Sequence, residues 1–179
     1  MSRGVLVTGF EPWGEHEVNP SQLVAERLGG VVLPVSYARA AAALRAAIDE
    51  RDPEFVVCFG LAETREKVSV ERYAHNLDEA ATSDNDAANG SGAEIDPAGP
   101  LALRSTLPVD ALVAALNDAG IPAEASRDAG GFLCNHVFYR LLLVRAGGFV
   151  HVPPLSVLPE DELLRAAELV VATARGRSS

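Results

Sequence analysis

Apolar residues fall along this chain in two rhythms: short unbroken runs, and longer stretches with helical spacing. Residues 4–10, 31–35 and 55–59 are short runs rich in valine and phenylalanine, and they predict strands buried on both faces. Helices are predicted between them. The helix over 20–28 opens on Pro20, which suits a first helical turn, and the helix over 37–51 is rich in alanine, the strongest helix former. Residues 67–76 alternate with period two. That spacing predicts a fourth strand with Val68, Val70 and Ala74 on one face and Ser69, Glu71, Tyr73 and His75 on the other. Residues 109–119 read as a helix stopped by Gly120, with Pro122 just beyond, and 123–126 as a short strand. An apolar helix begins near Cys134 and continues through Val137, Phe138, Leu141 and Leu142. A buried strand over 147–152 then ends in Pro153 and Pro154, and a last helix covers 160–174.

This alternation predicts an α/β fold: a single three-layer αβα domain over 1–179, with a central, largely parallel (mixed) sheet. Residues 77–100 form the one long irregular stretch, rich in Asp, Asn, Ala and Gly. A loop that long inside a compact domain is usually functional or mobile. Its polar sequence offers little to anchor it, and its place after the Glu71 strand predicts that it borders the site. No internal repeat and no domain boundary is evident.

Composition narrows the classes. A chain of 179 residues with 48% hydrophobic content is large enough for a substantial core and too apolar for disorder. A net charge of -10 argues against a nucleic-acid partner, which needs a basic face. No stretch approaches the ~18 apolar residues of a membrane span, so no membrane partner is expected. The apolar run at 5–10 is interrupted by Gly9 and lacks a small-residue cleavage site, so a signal peptide is not expected and a cytoplasmic location is. Two cysteines make no disulfide framework, and Cys58, inside the third strand, reads as core packing.

Candidate chemistry centres on the other cysteine. A Gly130-Gly131 turn delivers Cys134 to the first turn of its helix, where unpaired N–H groups and the helix dipole favour a thiolate. A nucleophilic thiol needs a base, and that base needs a group to fix its tautomer. His151, in an apolar strand, and Glu71 have the right chemistry. Each also has a plainer explanation: Cys134 as a small hydrophobe, His151 as a satisfied core histidine, Glu71 as a solvated strand residue. Dinucleotide, phosphate-loop, H-E-x-x-H and Cys-x-x-Cys motifs are absent from the sequence. His16, His75 and His136 are scattered, which makes a metal site unexpected. His136 follows Cys134 by two residues and on a helix faces away from the thiol.

Five motifs in order carry a resemblance over nearly the whole chain: 7–14 running to Asn19-Pro20-Ser21; 33–37; Gly60-Leu61-Ala62 with 68–76; 128–135; and 149–153. The sequence resembles pyroglutamyl peptidase type I, the pyrrolidone-carboxylate peptidases. That resemblance implies a cysteine exopeptidase that removes N-terminal pyroglutamate from peptides without a cofactor, with Glu71, Cys134 and His151 as a catalytic triad. It implies a substrate pocket at Phe10, Trp13, Phe132 and Leu133, with Asn19 beside them, and a homo-oligomer, often a tetramer. Three positions depart from the pattern: Trp13 stands where the family has Phe, Leu61 where some members have Gln, and Ala81 where many carry an arginine. These departures keep a second reading open, a homologue that binds or senses through its thiol, or an amidase acting on another small acyl amine.

Overall fold

A computed structural model describes residues 4–176; residues 1–3 and 177–179 of the expected domain lie outside the described residues. The elements run β1 (Val5–Phe10), α1 (Pro20–Arg27), β2 (Val31–Leu33), α2 (Ala40–Arg51), β3 (Phe55–Leu61), β4 (Val68–Glu71), β5 (Tyr73–His75) and β6 (Ala102–Arg104). They continue with α3 (Val109–Asp118), β7 (Ala123–Ser126), α4 (Leu133–Val144), β8 (Gly147–Val152) and α5 (Glu160–Arg175). Six strands form one sheet in the order β2-β1-β3-β8-β4-β7. Neighbours pair in parallel except at β8–β4, where Val150 faces Val70 and His151 faces Ser69 in an antiparallel register. The expected mixed, largely parallel sheet is present.

Period two in the strands sorts their side chains between two cores. Val7, Val57, Phe59, Val70 and Val150 pack with residues of α1, α3 and α5, including Val24, Leu112, Leu116, Leu163 and Val170. Their neighbours Leu6, Val56, Cys58 and Phe149 pack with α2 and α4 through Leu44, Ile48, Val137, Phe138 and Leu141. Both faces of the sheet are therefore covered, which explains the unbroken apolar runs of β1, β3 and β8. The same alternation sends Ser69 and Glu71 of β4, and His151 of β8, towards the α2/α4 side. That is the side from which α4 presents Cys134.

Two sequence expectations are corrected. The strand foreseen over 67–76 is two strands. β4 belongs to the main sheet, whereas β5 turns away after Arg72 to pair antiparallel with β6. The register is broken by the backbone of Arg72 itself, whose N–H donates to Ser126 O (2.7 Å) and whose carbonyl accepts from Ser105 N–H (2.8 Å).

The segment over 77–100 is likewise better anchored than its polarity suggested, because its polar side chains do the anchoring. Asp84 accepts from the N–H groups of Asp86 and Ala88 through Oδ1 and from that of Tyr37 through Oδ2. Asn85 donates to Glu11 Oε1 and to Pro12 O. Asp86 takes a fork from Arg39 and a hydroxyl from Ser36.

Tight backbone contact seats α1 on β1. A Cβ built on Gly9 would lie 1.8 Å from the carbonyl oxygen of Ser21. Gly9→Ala should therefore force strand and helix apart and cost ~3 kcal/mol or more, a fall in Tm of roughly 6–12 °C on thermal denaturation. A variant that melts with the parent would show that this contact does not constrain the fold.

Candidate active site

Glu71 closes β4 with its side chain fully buried. Its Oε1 accepts two bonds, from His151 Nδ1 (2.8 Å) and from Arg65 Nη1 (2.7 Å). An ionised carboxylate can only accept, so the bond puts a proton on His151 Nδ1 and leaves Nε2 as the ring nitrogen not held by Glu71. The imidazole lies against the Phe149 ring, centroids 4.8 Å apart. In the sheet His151 stands level with Gly60 of β3. A Cβ at Gly60 would come within 2.9 Å of Cys134 Sγ and 2.7 Å of the Phe149 ring. The bare backbone of Gly60 thus makes room for the thiol beside the strand that carries the histidine. The three residues singled out from sequence are gathered on one face of the sheet, His151 near the carboxyl end of β8 and Glu71 on the antiparallel strand beside it.

Cys134 occupies the first turn of α4. Phe132 is the N-cap and no side chain caps it, so the first-turn N–H groups stay directed at the front of the helix. Burial nevertheless pushes the Cys134 thiol up to about 12, and the nearby Glu71 charge adds to this; Arg65 and the backbone N–H of Cys134 pull the other way. His151 is held below the ordinary histidine range, chiefly by burial, although its bond to Glu71 opposes the shift. Both shifts favour thiol and neutral imidazole over the ion pair, against the pull of the helix start.

A cavity of about 50 Å³ opens beside the thiol, several times the ~10–15 Å³ that one water needs. Phe10, Trp13, Asn19, Phe132 and Leu133 all line it together with Cys134. Their contributions differ. Trp13 and Phe132 form an aromatic wall, centroids 5.1 Å apart, and Trp13 Nε1 is fixed by Ser83 O at 2.9 Å. Phe10 and Leu133 are almost wholly buried and offer the cavity one edge of a core side chain. Asn19 caps α1, accepting from Ser21 N–H and Oγ–H while its amide donates to Glu11 O. Both ends of its side chain are thus already engaged.

Val35, Leu61 and His16 also line the cavity and were not foreseen. His16 pairs with Glu63 at the exposed rim. Asn135 was missed as well, although a fully buried amide in an apolar helix was the available signal. It accepts from His75 N–H and donates to His75 O and Leu77 O, which staples the first turn of α4 to β5. His136 faces away from the thiol as expected and holds Asp78 Oδ2 at 2.8 Å. Among the described residues no group of three or more His, Cys, Asp or Glu is placed to hold a metal ion.

A thiol, an imidazole and a carboxylate on one face of an α/β sheet can together move an acyl group onto sulfur and then onto water. The family description "Pyroglutamyl peptidase" matches residues 3–168. The pyrrolidone-carboxylate peptidase of Gloeobacter violaceus is 44% identical, over 96% of this chain and 92% of its own. That of Klebsiella pneumoniae is 41% identical, over 98% and 88%. The crystal structure of Bacillus amyloliquefaciens pyroglutamyl peptidase I superposes with a TM-score of 0.94 at 32% identity, covering 99% of each chain. Pyrrolidone carboxyl peptidase from Thermococcus litoralis gives 0.91 at 35%, covering 97% of this chain and 94% of its own. The chain belongs to the pyroglutamyl peptidase family.

The two cysteines differ in access. Burial raises both thiols, but Cys58 is fully buried, whereas Cys134 is partly exposed and borders the cavity. Iodoacetamide at neutral pH should label Cys134 at least ~10-fold faster than Cys58 by peptide mass spectrometry. Preferential labelling of Cys58 would remove Cys134 from the candidate nucleophiles.

Proposed function

We propose that this protein hydrolyses the amide bond between an N-terminal pyroglutamyl residue and the rest of a peptide, with Cys134 as nucleophile, His151 as general base and acid, and Glu71 as the group that orients His151. The observation that carries this reading is the Glu71–His151 hydrogen bond on the sheet face that also receives Cys134, beside an aromatic-walled cavity. The lactam ring is small, flat and uncharged, and a mostly apolar recess walled by Trp13 and Phe132 suits it. Because the neutral pair is favoured, the first step transfers the Sγ proton to His151 Nε2 as sulfur attacks the carbonyl carbon. The forming imidazolium is stabilised by the Glu71 carboxylate. Backbone N–H groups of the uncapped first turn of α4 meet the oxyanion, preorganised donors worth about 2.7–4 kcal/mol each. Collapse of the tetrahedral intermediate releases the peptide amine, protonated by His151. Water, activated by the same imidazole, then hydrolyses the thioester to free pyroglutamate and thiol. No step calls for a cofactor.

Two further parts of the proposal concern setting. A catalytic thiol belongs in a reducing compartment, which favours the cytoplasm; among the described residues no helix is long and apolar enough to cross a membrane. Self-association, which the family resemblance implies, has apolar surface available. Leu101 is 81% exposed ahead of β6, and Leu143 and Val144 are exposed at the end of α4, against which β6 packs.

Release of fluorophore from a pyroglutamyl-coumarin amide, beside prolyl and alanyl analogues, tests the function. Turnover should be confined to the pyroglutamyl compound, and Cys134→Ser should lower kcat/KM by at least ~10³-fold with the fold retained by circular dichroism. Hydrolysis of the alanyl or prolyl analogue instead would favour a different amidase. No turnover of any of the three would leave the binding or thiol-sensing reading.

The pH profile is a separate check. Burial holds the imidazolium of His151 unfavourable, so its neutral, catalytically competent form persists below the usual pKa near 6.5. The acid limb of kcat/KM should therefore fall below pH 6.5, with activity rising as pH increases through it. A limb at or above 7 would contradict the assignment of His151 as the free base.

A further inference from the structure

Arg65 sits in the turn after β3, its N–H donating to Ala62 O at 3.1 Å, and three quarters of its side chain is covered. Its guanidinium spans two parts of the candidate site. Nη1 donates to Glu71 Oε1 at 2.7 Å, the same oxygen that receives His151 Nδ1, and Nη2 donates to the backbone carbonyl of Asp128 at 2.7 Å. Asp128 is the corner of the loop that carries the chain from β7 into α4. Its carbonyl also accepts from Ser126 Oγ, its carboxylate accepts from Gly130 N–H, and Ser126 is the sheet neighbour of Glu71. The other carboxylate oxygen, Glu71 Oε2, is buried with no partner among the described residues. Two bonds on one oxygen therefore hold the carboxylate, one of them from Arg65.

We propose that Arg65 is a positioning residue of this site, fixing the carboxylate that orients His151 and, with the other arm of the same planar fork, the loop that delivers Cys134. The inference rests on the proposed function for its catalytic meaning, but its electrostatic consequence does not. A guanidinium carries donors that reach two acceptors at fixed geometry, and lysine offers a single charged point in its place. The charges facing His151 are Glu71 from β4, Asp128 from the loop before α4, and Arg65. Those facing Cys134 are Glu71, Cys58 from β3, Arg65, and the Tyr37 hydroxyl, itself acted on by Cys134. Arg65 is the cation common to both sets. It disfavours the imidazolium and favours the thiolate, so its removal raises the pKa of each. Whichever of the two groups governs thiol reactivity, the response has one sign.

The test uses the whole protein as parent, Arg65→Met and Arg65→Lys. The pH dependence of Cys134 alkylation by iodoacetamide reads the electrostatics without turnover, and steady-state kinetics on the pyroglutamyl-coumarin amide read catalysis. In Arg65→Met the alkylation midpoint should rise by about one pH unit, the order of shift that loss of one nearby charge produces, and kcat should fall ~10²-fold with KM little changed. Arg65→Lys should keep the parental midpoint, retaining the charge, and lose ~10-fold in kcat because one ammonium cannot serve both acceptors. Should Arg65→Met fail to fold, Arg65→Lys still decides through its split of kcat from KM. A folded Arg65→Met with parental midpoint and kcat, or an Arg65→Lys that matches the parent in kcat or loses KM alone, would overturn the inference. A parent that alkylates normally but cleaves no pyroglutamyl amide would count against the proposed function, while the midpoint of Arg65→Met would still test the clamp.

Discussion

A carboxylate buried without solvent is the constraint on which the site depends. Removing an ionised group from water costs several kcal/mol after relaxation, and the cost is offset only by close, well-aligned partners. Glu71 has two such partners, a histidine from β8 and an arginine from the turn after β3. Both the antiparallel β8–β4 pairing and the path of the chain from β3 to β4 are needed to bring them there. The antiparallel register sets Ser69 opposite His151, so Glu71, two residues further on, lies beside Phe149 and reaches back diagonally to the imidazole.

The thiol shows two effects of opposite sign whose sizes decide the resting state. A helix start is worth typically 0.3–1 kcal/mol for a negative charge, at most ~2 in partly buried sites, which is about one pKa unit. Burial beside a carboxylate raises a thiol by several units, and it prevails at Cys134. On the proposed mechanism the helix N-terminus stabilises charge that appears during the reaction, on the substrate oxygen, more than charge at rest. Such differential stabilisation is what lowers a barrier.

The layers, most strands and the identity of the three central residues were legible in the sequence, because period two and helical spacing record which faces are buried. His151 and Cys134 announced themselves as polar or reactive groups in apolar runs. Less was legible wherever a hydrogen bond joins residues far apart along the chain. The break at Arg72 depends on Ser126 and Ser105, 54 and 33 positions away. The anchoring of the long loop depends on Asp84, Asn85 and Asp86, residues that are equally at home in a solvated loop. Arg65 lies in the turn Glu63-Thr64-Arg65-Glu66-Lys67, where nothing local distinguishes it from the charged residues around it. Its role appears once Glu71 and Asp128 are seen at the two tips of its fork.

Ala81, where the resemblance led to the expectation of an arginine in many members, is exposed. The backbone on either side of it is occupied. Glu79 N–H donates to Gly131 O at the turn before Cys134, and Ser83 O receives the indole N–H of Trp13. The segment therefore ties the loop that delivers the thiol to the aromatic wall of the cavity through main-chain groups, which no side-chain replacement at Ala81 removes. The tether does not depend on the side chain at position 81. With no cation at position 81, the developing oxyanion of the proposed mechanism falls to the uncapped N–H groups of α4. Their aim is set by the two ends of the same short connection: Asp128 held by Arg65, and Asn135 stapled to His75 and Leu77.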